Sequence, residues 1–139
     1  MPTPASDRLA VGGGSLVNTA SVNAQRVVPN LPAIAHTAAK GGAMALTRQL
    51  AIEGTAHGIR ANSISPGGIR TPAQLLGTGE GAENAHRHVL LDRLGEPLDV
   101  AYVALLLASD EASWATGANF LVDGGASIAV GGRGVPHER

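Results

Sequence analysis

Three short apolar runs, each stopped by turn-forming residues and separated by helix-patterned stretches, constrain this chain more than any other feature. The first is Ser15-Leu-Val-Asn-Thr-Ala-Ser21, which follows Gly12-Gly13-Gly14 and reads as a buried strand. Residues 59–65 form the second, halted by Pro66-Gly67-Gly68, and residues 119–122 the third, halted by Asp123-Gly124-Gly125. Between the first two, residues 34–57 predict a long helix, Ala-rich, free of proline and closed by Gly58. Pro97 opens another helix, to about Ser109, with Val100, Val103, Ala104 and Leu107 at helical spacing. Strand, helix, strand, helix, strand within one domain's length predicts an α/β fold with right-handed parallel crossovers.

Composition agrees with that layout. Hydrophobic residues are 44% of the 139, but aromatics only 2%, so Ala, Val, Leu and Ile must fill the core. Such a mix suits closely packed parallel strands and helices. The net charge of -1 offers no basic field for nucleic acid, and the absence of cysteine excludes disulfides and thiolate zinc sites. No apolar run nears the ~20 residues of a membrane span, and the start lacks an apolar signal core, so a soluble cytoplasmic protein is expected. One domain over 1–139 is expected, with 126–139 as a loose tail.

Details within the helices carry further expectations. Gly41 and Gly42 each cost up to ~1 kcal/mol relative to Ala, which close packing on a neighbouring helix or a cofactor would offset. Ala39, Gly42, Ala43 and Leu46 give the apolar spacing of one packed face. The helix from Pro97 also carries Leu105 and Leu106, so it is apolar nearly all round and should be buried or lie at an interface. The stretch 69–93 is polar and Gly-rich, with a short amphipathic helix near 82–92, and a loop of this length reads as a lid or binding segment.

Ligands of open parallel sheets sit at the carboxyl ends of the strands. Ser21 and Pro66-Gly67 fall at such ends, and Lys40 lies in the first two turns of the helix between them. Alone, Ser21 reads as a strand-end serine and Lys40 as a solvated helix lysine; together with Pro66-Gly67 they define a candidate site. His36 stands one helical turn before Lys40. The triple glycine at 12–14 precedes a strand instead of following one, so it reads as a turn and not as a phosphate cradle. A Ser21/His36 hydrolase reading lacks a Gly-x-Ser-x-Gly elbow and an orienting acid. His86 and His88, two apart, point away from each other on a helix and do not form a metal pair.

These segments resemble the C-terminal half of the short-chain dehydrogenase/reductase family. The likeness runs from about Gly13 to Gly125, through Gly14-Ser-Leu-Val-Asn-Thr-Ala-Ser21, Ala38-Ala-Lys40-Gly-Gly-Ala-Met-Ala-Leu-Thr-Arg48 and His57-Gly-Ile-Arg-Ala-Asn-Ser-Ile-Ser-Pro-Gly67. Asp92-Arg-Leu-Gly-Glu-Pro97, Leu105-Leu-Leu-Ala-Ser-Asp110 and Thr116-Gly117 to Gly125 complete it. The resemblance implies a partial Rossmann-like three-layer unit, with three parallel strands and flanking helices, and a single domain like the family's C-terminal half.

By the same resemblance the chain is an NAD(P)(H)-dependent oxidoreductase of carbonyl or alcohol groups. Ser21 would orient the carbonyl, Lys40 would bind the nicotinamide ribose, and Pro66, Gly67, Ile69 and Thr71 would hold the nicotinamide, with residues 72–93 shaping the substrate pocket. NAD and NADP both remain open. Two departures stand out. His36 occupies the place of the family's catalytic tyrosine, and its imidazole can do acid–base work. It reads as a working acid–base group, a substitute that keeps binding only, or a relic. The single tyrosine, Tyr102, lies on the last helix and is not expected to reach the site. The family's phosphate-binding loop, and the asparagine before its first matched strand, have no counterpart in the residues ahead of Gly12. The matched part is therefore expected to form a truncated unit with an open edge at 15–21 that invites pairing with another chain. The resemblance implies a homo-oligomer, through the helix at 34–57 and the last helix and strand, or association with a related chain. The alternative is a non-catalytic oligomerisation partner or inactive remnant.

Overall fold

The computed structural model describes residues 12–26, 32–72 and 89–129. Five main elements follow one another: β1 (Gly14–Thr19), α1 (Ile34–Thr55), β2 (Ile59–Pro66), α2 (Pro97–Ala108) and β3 (Asn119–Val122). The strands form one parallel sheet in the order β1-β2-β3, with Gly14 opposite Ile59, Thr19 opposite Ile64 and Ser63 opposite Asn119. β2 is the centre, and Ala61 through Ser65 are all buried. The α/β expectation holds, and each strand lies within two residues of its predicted place.

Local signals explain the boundaries. α1 ends at Thr55, two residues short of His57, and Gly58 closes it at φ +66 with its N–H on the Thr55 carbonyl. α2 starts at Pro97, which needs no amide partner at the first helical position. Glu96 and Asp99 form a reciprocal capping box there. Gly12 and Gly13 both have positive φ and make the turn expected before β1. The amphipathic helix near 82–92 lies mostly outside the described residues, and 89–92 form a turn. In the segment 126–139, Ala126 to Ala129 are held by hydrogen bonds to Asp123 and Gly125, and the remainder lies outside the described residues.

The helices occupy opposite faces of the sheet. The Asn18 side chain bonds Thr47 of α1, while the neighbouring odd positions Ser15 and Val17 meet α2, through the Leu107 carbonyl and a core of Ile64, Leu107, Ala112, Val103 and Phe120. Two crossovers that step the same way across the sheet but use opposite faces have opposite hands. The expectation of two right-handed crossovers is therefore corrected: one of the pair is left-handed. That preference arises where a twisted strand feeds its helix directly. The connection 67–96 leading into α2 is long enough to escape it.

α1 turns a different face to the sheet from the one that carries its apolar stripe. Its inward residues are Thr47, Ala51 and Gly54, with Ala43 and Lys40 half-buried, while Ala39, Gly42 and Leu46 are exposed. The helix is turned by about one residue from its apolar stripe because Asn18 holds Thr47 on the sheet and Gly54 lies against Ile59. Beyond the helix's own backbone, no described atom comes within 4 Å of a Cβ built on Gly41 or Gly42, so no packing within the described residues offsets their cost. α2 buries Leu107, whereas Leu98, Tyr102 and Leu105 are more than 60% exposed in the chain alone. No helix among the described residues is long and apolar enough to cross a membrane.

Candidate active site

The carboxyl ends of the three strands carry the candidate residues. After β1 the ladder continues through Ala20, whose N–H reaches the Ile64 carbonyl. Ser21 then leaves the sheet in an extended conformation and caps the short 3-10 turn Val22–Ala24. Its Oγ accepts from the Asn23 N–H at 3.2 Å, which leaves the hydroxyl proton available to another acceptor. Ser21 is buried, at 9% exposure.

Lys40 comes to the same edge from α1. Its Nζ donates to the Thr19 carbonyl at 2.7 Å, two residues before Ser21. His36 is exposed on the first turn of α1, four residues before Lys40 and so on the same side of the helix. Among the described residues no hydrogen bond joins His36 to Ser21 or Lys40. Tyr102 is 65% exposed on α2, across the sheet from the helix that carries Lys40.

Pro66 ends β2, and the loop after it is tightly held. Gly67 donates to the Val122 carbonyl at 3.0 Å. A Cβ on Gly67 would lie 2.8 Å from the Asp123 Cβ, so only glycine lets the two loops touch. Ile69 pairs with Gly95, whose N–H bonds the Gly68 carbonyl, and Arg70 returns a bond to the Gly95 carbonyl. Thr71 is half-buried at the end of this stretch. Beside the loop lies a cavity of about 460 Å³, lined by Gly68, Ile69, Val89, Leu90 and the turn after β3. Residues 73–88 of the expected pocket-shaping stretch lie outside the described residues. A second concavity, about 470 Å³, opens beside Trp114 and Arg60. Its Arg60 guanidinium is already committed to the Ser109 and Ala115 carbonyls.

Charge near the edge is mostly paired. Arg93 grips Asp99 through both terminal guanidinium nitrogens at 2.7 and 3.0 Å. These bonds, with the Glu96 amide, hold the Asp99 carboxyl at about 2. Partial burial opposes ionisation of Asp123, but bonds from Ser127 and Gly125 and the charge of Arg26 outweigh it, so its carboxyl titrates below the ordinary range. No group of three or more metal-ligating side chains occurs among the described residues. His86 and His88 lie outside them.

Three features escaped sequence reasoning. Asn18 follows the apolar pair Leu16-Val17 in β1, and its amide finds a buried partner in Thr47 at 2.9 Å. Asp123 before two glycines signals a side-chain-capped turn, and it accepts from Gly125 and Ser127. Arg26 reaches the Ala126 carbonyl, a contact with no local signal.

Comparisons with known proteins agree with this architecture. The family model described as enoyl-(acyl carrier protein) reductase matches residues 3–127. An oxidoreductase of Bacillus subtilis is 44% identical over 121 residues, 81% of this chain and 44% of its own length. The cyclohexanol dehydrogenase of an Acinetobacter species is 44% identical over 116 residues, 84% of this chain and 44% of that protein. The crystal structure of a 3-oxoacyl-[acyl-carrier protein] reductase from Brucella melitensis superposes with a TM-score of 0.80 at 34% identity, covering 86% of this chain and 44% of the other. The chain thus spans about half the length of the relatives it matches.

Proposed function

Since the chain belongs to the short-chain dehydrogenase/reductase family, we propose that it supplies the nicotinamide-facing part of an NAD(P)(H)-dependent oxidoreductase acting on a carbonyl or alcohol group. One observation carries this reading: the Lys40 ammonium is drawn to the Thr19 carbonyl, at the strand end where Ser21 emerges. The donor chemistry fits the cofactor. A lysine has three N–H donors, and the Thr19 bond uses one, leaving others for a ribose diol.

Bound nicotinamide would supply or take up the hydride. The chain's own residues would do the rest. Ser21 would point its free hydroxyl proton at the substrate carbonyl and help hold developing negative charge on oxygen. His36 would deliver a proton to that oxygen in reduction, or accept it in oxidation. Lys40 would bind the ribose. Pro66, Gly67, Ile69 and Thr71 would hold the nicotinamide carboxamide, on a loop stiffened from below by Asp123 and from the side by Gly95.

A second reading, a non-catalytic chain that packs on relatives or on itself, is favoured by a different observation. Leu98, Tyr102 and Leu105 of α2 and Ile34 and Ile52 of α1 are exposed in the chain alone. Fluorescence titration with NADH and NADPH, with and without a full-length relative, separates the two. Nucleotide binding by the chain itself is the expected result. Binding only alongside the relative favours the partner reading, and no binding in either case rules out the enzyme.

A further inference from the structure

Three loops meet at the carboxyl edge: 21–26 after β1, 66–71 after β2 and 123–127 after β3. Two side chains join them. Arg26 sits just after the turn capped by Ser21, its amide bonded to the Val22 carbonyl. Its guanidinium crosses to the carbonyl of Ala126, a buried residue. Asp123 holds the turn that presents this carbonyl, accepting from Gly125 at 2.9 Å and Ser127 at 2.7 Å. The Asp123 backbone is also the surface on which Gly67 rests, too close for any Cβ.

We infer that Arg26 and Asp123 are positioning residues that couple the Ser21 loop to the Pro66-Gly67 loop through the turn 123–127. Removal of the Arg26 guanidinium leaves the Ala126 carbonyl without its donor, and the turn loosens under Gly67, although Arg26 and Gly67 share no bond. The use of this coupling, to hold a carbonyl-orienting serine and a nicotinamide loop in fixed relation, rests on the function proposed above. The coupling itself does not.

Amide hydrogen exchange on the full chain tests it first. In Arg26→Gln, exchange at Gly67, Gly125 and Ser127 is expected to rise about five- to tenfold, the low end of ordinary coupling between sites. Amides of Ala61 and Ile64 in β2 should keep their wild-type rates, and Arg26→Lys should restore part of the protection. Coupling is reciprocal, so Asp123→Asn should raise exchange at Asn23 and Ala24 by a similar factor. A rise confined to residues 22–26 in Arg26→Gln, a rise spread through the sheet, or no rise at all overturns the inference.

NADH titration then tests the positioning role. Arg26→Gln is expected to weaken NADH binding about five- to tenfold. Unchanged affinity in the variant removes that role even if the exchange result stands. A wild-type chain that binds neither NADH nor NADPH, alone or with a full-length relative, sinks the enzyme reading and the positioning role with it, while exchange still decides the coupling.

Discussion

The Lys40 ammonium lies 2.7 Å from the Thr19 carbonyl, so the helix between β1 and β2 is tied to the last residue of the strand that delivers Ser21. This bond gives α1 an anchor near its amino end, while Asn18 and Thr47 anchor it two turns further on.

Lys40→Met keeps the stem of the side chain and removes the donor. An exposed hydrogen bond of this kind contributes about 0.5–1.5 kcal/mol, so denaturation should register only a small loss of stability. NADH affinity should fall much further, by about tenfold or more, if Lys40 also holds the ribose. Equal affinity in wild type and variant would remove Lys40 from the site.

Thr47→Val retains the shape of a buried side chain and strips its hydroxyl. The half-buried Asn18 amide then loses its partner, at a cost of about 1 kcal/mol, the low end for an orphaned donor. Urea denaturation of Thr47→Val, Asn18→Leu and the double variant measures the pair. The double variant should lose less than the two single losses added together, because the orphaned group is gone.

Gly67→Ala places a methyl 2.8 Å from the Asp123 Cβ. Overpacking against backbone that cannot retreat costs about 1–3 kcal/mol. The thermal midpoint should drop, and Gly68→Ala, which meets only the flexible Leu94 tip at 3.1 Å, should cost less. The reverse order would mean that the contact with Asp123 is not what demands glycine at position 67.

Acid should release the clamp at the start of α2. The Asp99 carboxyl titrates at about 2 when folded, below its unfolded value, because Arg93 and the Glu96 amide favour its charged form. A depressed acid stabilises the fold above its unfolded pKa, and the contribution disappears as pH falls through the folded value. Stability attributable to Asp99 should therefore be complete above about pH 5 and fade from about pH 4 towards pH 2. Asp99→Asn should flatten that part of the pH–stability curve, and salt should shrink it, since the pair is partly exposed.

His36 carries the proton-transfer step of the proposed mechanism. In a preparation that turns over, His36→Ala should lower the rate by about two to four orders of magnitude, the usual share of a positioned acid or base. His36→Tyr should retain or raise the rate. If His36→Ala is as active as wild type, the imidazole has no part in proton transfer.

Much of the fold was legible because it is local. Gly58, Pro66-Gly67 and Pro97 mark element ends through backbone constraints that act within a few residues, and β3 was read to the residue. The candidate site was legible in outline for a similar reason: parallel strands put Ser21 and Pro66 at one edge whatever packs around them. Which face of α1 meets the sheet was not, because it is set by the bond of Asn18 to Thr47, 29 residues away, and by the close approach of Gly54 to Ile59. The sidedness of α2 was hidden too, because a long connection leaves the face of return to packing instead of chain sterics.

The sequence by itself determined the α/β alternation, the element ends and the edge at which Ser21, Lys40 and Pro66-Gly67 would gather, since these follow from periodicity, turn chemistry and strand polarity. Only the tertiary structure decided that the two helices take opposite faces and that Arg26 meets the turn held by Asp123. It also decided that Gly67 is pressed against Asp123 itself. Those contacts join residues tens of positions apart, and their energy depends on how closely surfaces fit in three dimensions, which no local pattern encodes.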